Sequence, residues 1–196
     1  MGDGGMSMLK AFKTMGLMLA LGISMTACSY GSDKWQEEVK LSDGRIIVIN
    51  RKTIYEGGGD EWAINRSGSK PKEYRIQFAD PDGSGKMIEW RSTKAWRTWP
   101  EDPLVFDIES GNPVIFSWVG STEPDCAVYL KYVYKNDEWI EEPLPEKFKP
   151  HTTNLFFGNA NDLPKFMNLK VKKKRNSGYG TRWLYQVGPN RKVCGD

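Results

Sequence analysis

The chain has 196 residues, 28 basic and 25 acidic side chains for a formal charge of +3, and an aromatic content of 12%. That near-neutral balance excludes the strongly basic surface that marks nucleic-acid binding, and no nucleic-acid partner is expected. A single histidine leaves little room for histidine-based catalysis or a histidine metal site, and no cofactor is expected.

Lys10 and Lys13 precede an uncharged run over residues 14–27, whose apolar part, residues 15–25, is 11 residues long. Crossing a bilayer takes about 20 residues and a signal-peptide core about 7 to 15. The segment is therefore read as an export signal, residues 1–27. Met25-Thr26-Ala27-Cys28 resembles the bacterial lipobox, in which small residues precede a cysteine. The resemblance implies diacylglycerol on the Cys28 thiol, cleavage between Ala27 and Cys28, and attachment through two or three acyl chains, enough for stable anchoring. The alternative is an ordinary secretory signal with Cys28 a bystander. Ser29 stands where lipoproteins kept at the inner membrane typically carry Asp, which implies sorting to the outer membrane, facing the periplasm. Met6 and Met8 serve as starts as well as Met1 does, because residues 1–5 add nothing a signal needs.

Cleavage would remove Lys10, Lys13 and Asp3 and leave 169 residues with 26 basic and 24 acidic side chains. A chain of that length suits one domain, here residues 35–196 behind a lipidated tether, residues 28–34. Cys126 and Cys194 then remain, an even pair in an oxidising compartment, and a disulfide between them is expected. Two free thiols are the alternative, since spacing in sequence does not bring cysteines within bridging distance.

Along the domain, residues 35–41 and 46–49 flank Ser42-Asp43-Gly44-Arg45, a strong hairpin signal. Gly57-Gly58-Gly59 and the polar stretch to Pro71 read as a loop. Residues 72–79 alternate, with Tyr74, Ile76 and Phe78 on one face, and Asp80-Pro81-Asp82-Gly83 turns them into residues 87–90. A Trp-rich connection over residues 93–103 leads to residues 104–108 and 114–119 around Ser110-Gly111-Asn112-Pro113. Residues 127–135 alternate cleanly, and Asn136-Asp137 leads into residues 138–141. Pro143, Pro145 and Pro150 end regular structure, before shorter runs at residues 154–157, 166–173 and 182–187. No segment holds a 3.6-residue period with caps. The expected fold class is all-β, an antiparallel β-sandwich or partly open barrel built from successive hairpins.

The opening residues 34–45, Lys-Trp-Gln-Glu-Glu-Val-Lys-Leu-Ser-Asp-Gly-Arg, with residues 132–144 and the late cysteine, resemble a group of uncharacterised Gram-negative lipoproteins. The resemblance spans most of the mature chain. It implies export and domain extent and carries no activity.

Residues that could carry chemistry are few. His151 follows Pro150 with no His or Cys at metal-ligand spacing, and is read as a surface or loop histidine. There is no G-x-S-x-G or H-E-x-x-H, and no phosphate-cradling glycine loop. Neighbouring carboxylates at Glu37-Glu38, Asp60-Glu61 and Glu141-Glu142 point apart in a strand and are read as solvated. The stretch Asp80-Pro81-Asp82-Gly83-Ser84-Gly85 matches the start of a calcium loop but has Arg91 where the closing Glu belongs, so a hairpin turn is the reading taken. Trp90, Trp96 and Trp99, with Arg97 between them and Trp62 nearby, are either core packing or an aromatic platform able to stack a sugar ring. The basic run at residues 170–175 is either a solvated strand end or a contact for anionic headgroups.

The expectation is a non-enzymatic, outer-membrane-anchored lipoprotein that binds or stabilises another envelope protein, an immunity or accessory protein being one version. A glycan- or peptidoglycan-binding module using residues 90–99 is the alternative. Catalysis is not expected, because no nucleophile and base are recognisable.

Overall fold

A computed structural model describes residues 31–57, 69–96, 99–119, 128–144, 151–157 and 162–176. Cys28, Trp62, Arg97, Cys126, Cys194 and the run at residues 182–187 lie outside the described residues. The fold is all-β and sandwich-like, with two main sheets and no closed barrel among the described residues. The first sheet holds β1 (Ser32–Lys40), β2 (Ile46–Gly57), β3 (Ser69–Ala79) and β4 (Met87–Arg91) as an antiparallel meander. A two-residue ribbon, β5 (Ala95–Trp96) with β6 (Trp99–Pro100), leads to the second sheet. That sheet consists of β7 (Asp102–Glu109), β8 (Asn112–Val119), β9 (Val128–Lys135) and β10 (Glu138–Glu142). Late in the chain, β11 (Phe166–Met167) joins the first sheet parallel to β1 and is followed by α1 (Leu169–Asn176).

Turn chemistry sets the hairpins. Gly44 and Gly83 take positive φ in the first two turns, at 90° and 82°. Ser110 and Gly111 (50° and 82°), then Asn136 and Asp137 (52° and 66°), form two-residue turns with positive φ at both positions, the geometry that matches strand twist. Strand β2 runs on to Gly57, and Pro71, expected in a loop, sits in β3 opposite Tyr55. It is tolerated there because the register shifts at Ile54/Tyr55 and the ladder needs no N–H from a proline at a bulge.

The sheets bury an aromatic core. Val39, Ile49, Ile76, Phe78, Ile88 and Trp90 from the first sheet meet Phe106, Ile115 and Tyr132 from the second. Phe78 lies 4.6 Å from Phe106 and Trp90 5.8 Å from Tyr132, both edge-to-face. Leu144 and Phe157 pack with Val105, Val114, Phe116 and Val133 of the second sheet, and His151 stacks on Phe116 at 5.0 Å. The two outer faces therefore differ. Leu144, Phe157 and His151 overlie part of the second sheet and leave Ile140 of β10 exposed, whereas the first sheet exposes Ile46, Val48 and Met87 on β2 and β4 and meets α1 at Glu38 of β1.

Two expectations are corrected. The tether does not reach residue 34, because β1 begins at Ser32. The basic run at residues 170–175 is helical instead of a strand end. Asn168 caps that helix through its Oδ1 to the Val171 N–H at 2.9 Å, and Glu38 accepts the Leu169 N–H at 2.9 Å. Lys172 is buried, and its ammonium donates to the carbonyls of Glu38 and Asn154. Burial holds its pKa below the ordinary value, the nearby Arg51 adding to the effect.

Candidate functional site

Of the two readings of the tryptophan segment, Trp90 follows core packing. Trp90 is 1% exposed in the inter-sheet core, because β4 alternates Ile88 and Trp90 inward. A buried ring cannot stack a sugar, so Trp90 is removed from the binding residues. Trp96 pairs with Trp99 across the β5–β6 ribbon, and Trp99 is half-buried. The Asp80–Lys86 turn is built by its own side chains: Asp80 accepts the Asp82 N–H at 3.1 Å, and Asp82 accepts the Ser84 N–H at 2.7 Å. The Ser84 N–H, with the Ser84 hydroxyl, holds the Asp82 carboxyl below its usual pKa. Among the described residues no group of three or more His, Cys, Asp or Glu could hold a metal ion.

Two polar clusters were not legible as such. Glu37, expected to be solvated, is fully buried and pairs with Arg51 at 2.9 Å. It also accepts the Phe156 N–H, and the Arg51 guanidinium lies 5.3 Å from the centre of the Trp35 ring. Glu101, also fully buried, accepts from the Thr93 and Lys94 N–H groups, the Ser117 hydroxyl at 2.5 Å and the Tyr132 hydroxyl at 2.9 Å. Ser117 beside Glu101 has the residue types of a nucleophile and base. Both are 0% exposed, so a substrate has no access, and what they do is tie β6 and β7 to β8 and β9.

The outer face of β1 to β4 presents accessible side chains. Register arranges it in rows, because alternate residues point outward and paired residues align. One row is Lys34, Lys52, Arg75 and Arg91; the next is Gln36, Asn50, Gln77 and Glu89. Beyond them stand Val48 and Met87, 49% and 54% exposed, and then Ile46 at 55%. The face is thus graded, cationic where β1 begins and apolar on β2 and β4 toward the hairpin end, where Glu38 and Lys40 of β1 stand beside Val48 and Ile46.

A groove of about 540 Å³ runs over the two polar rows, lined by Lys34, Gln36, Asn50, Lys52, Arg75, Gln77, Glu89 and Lys165, with Trp35 and Arg51 completing its lining. Gln36 donates to Asn50 at 3.0 Å and Gln77 to Glu89 at 2.6 Å. Glu89 is also ion-paired with Arg91 and, at 3.8 Å, with Arg75, which pairs in addition with Glu73. Lys34, Lys52 and Lys165 have no carboxylate partner among the described residues. The signal for these rows was in the sequence, as outward positions of the two hairpins, but only the register aligns them. Comparison with protein-family models, with curated proteins and with solved structures returns no match to this chain.

Proposed function

We propose that the chain is an outer-membrane-anchored lipoprotein that acts by binding, and that the apolar end of its open sheet face docks another envelope protein. The observation that carries this reading is the exposure of Ile46, Val48 and Met87 together at outward positions of β2 and β4. Large apolar side chains grouped on one face mark interaction surfaces more often than singly scattered ones do. The anchor supports the same orientation. With cleavage before Cys28, only residues 28–31 separate the lipid from β1, a reach of about 14 Å at full extension. The start of β1 is then held near the membrane and Ile46 points away from it, toward the periplasm. Neither buried carboxylate cluster offers a reacting group to solvent, which favours binding over catalysis.

The test is co-purification from solubilised envelopes. The mature lipidated protein should retain a specific envelope protein that Val48→Glu/Met87→Glu loses at unchanged thermal stability. Retention of the same partner by the double variant would overturn the docking surface.

A further inference from the structure

The polar end of the same face supports a second, separate site. We propose that the groove over the Lys34 and Gln36 rows binds an anionic polysaccharide, a chain carrying carboxylate or phosphate groups among its hydroxyls. Three features point to that chemistry. First, Lys34, Lys52 and Lys165 bring positive charge to the lining with no carboxylate partner among the described residues, while the one acid in the lining, Glu89, is neutralised by two guanidinium groups. Exposed ammonium groups with unused donors suit anionic oxygens.

Second, Gln36, Asn50 and Gln77 lie side by side on three adjacent strands, each amide offering both donors and acceptors. Such a row matches hydroxyls, which also do both. With strands about 4.8 Å apart, the four-strand rows extend about 14 Å, long enough for a chain of several sugars instead of a single small anion. Third, Phe166, 45% exposed, stands beside Gln36 in the pairing of β11 with β1, at the end of the amide row, where its ring can cover the apolar face of a sugar.

Other occupants fit less well. A protein interface has an apolar, charge-depleted core, and this lining is amide and charge. Single-stranded nucleic acid is held by stacked aromatics, and the one aromatic in the lining, Trp35, is buried. An extended peptide adds to a sheet edge, whereas the groove crosses a face.

The site does not depend on the protein-docking reading, and the experiment separates the two. Mature lipidated protein in a non-ionic polyoxyethylene detergent is titrated calorimetrically with oligogalacturonate, a neutral oligogalactan, inorganic polyphosphate and vesicles of anionic phospholipid. The expected result is saturable binding of oligogalacturonate, none of the galactan, and weakening with salt. Lys34→Gln/Lys52→Gln should lower that affinity about tenfold. Gln77→Ala should lower it for oligogalacturonate and not for polyphosphate. Val48→Ser/Met87→Ser, which adds no charge, should leave it unchanged. No binding of oligogalacturonate would overturn the proposal, as would equal insensitivity of both polyanions to Gln77→Ala, or binding confined to the phospholipid vesicles.

Discussion

Glu37 and Arg51 meet at 2.9 Å with both side chains withdrawn from water, and the carboxylate also holds the backbone of Phe156. The pair fastens the late segment of the chain to β1 and β2, beside the small cluster of Trp35, Phe156 and Met167. Truncating one member leaves the other charge buried without a partner, which costs about 3 to 5 kcal/mol. Glu37→Ala should therefore lower the urea midpoint strongly, and Glu37→Leu/Arg51→Met should recover much of the loss. A small effect of Glu37→Ala would show that water replaces the pair.

Stability should fall in alkali. Burial raises the pKa of Tyr55, Tyr74 and Tyr132 above the ordinary 10.0, with Asp33, Asp102 and Glu101 respectively adding to it. A tyrosine whose folded pKa is raised gives stability that is complete below the unfolded value and lost as pH rises past it. Lys172, held below its ordinary 10.5, works the other way: its penalty is full below the folded pKa and relieved as pH rises from there toward 10.5. Three tyrosines outweigh one lysine, so the urea midpoint should drop above about pH 10. Tyr132→Phe should flatten part of that drop while costing about 1 to 3 kcal/mol at neutral pH, because Glu101 loses a donor. A midpoint that does not fall above pH 10 would contradict the assignment.

Export is tested at Cys28. Globomycin should accumulate the lipidated precursor, and Cys28→Ala should abolish both lipid processing and membrane association. Unchanged processing of the variant would leave an ordinary secretory signal.

The remaining cysteines give a separate test. Mass spectrometry of the unreduced mature protein should find Cys126 linked to Cys194. Ready alkylation of both thiols without reductant would rule out the bridge.

The four main hairpins were legible because each is specified locally: Asp43-Gly44, Asp82-Gly83, Ser110-Gly111 and Asn136-Asp137 supply turn geometry between alternating runs. The short helix was not. Leu169–Asn176 holds two apolar residues in eight and no amphipathic stripe, so the Asn168 cap, the Glu38 acceptor and the burial of Lys172 hold it in place, contacts distant in sequence. The buried ion pair was half visible. Glu37 lies on the inward alternation with Trp35 and Val39, and Arg51 on that of Ile49 and Thr53, so each was a charge in a core position. Glu37, taken with its neighbour Glu38, reads as solvated, and Arg51 lies beyond the run at residues 46–49 and draws no reading. Trp90 follows the same rule, two residues from Ile88 on the inward face. Grouping aromatics by nearness in sequence placed it with Trp96 and Trp99 when strand periodicity placed it in the core.

The most direct measurement is photocrosslinking of the lipidated protein in its own envelope, with p-benzoylphenylalanine at Val48 on the open face or at Glu138, an exposed position on β10 of the other sheet. Docking through the apolar end of the open face predicts a discrete adduct with one envelope protein from Val48 and none from Glu138. No adduct from Val48, or the same adduct from both positions, would contradict it.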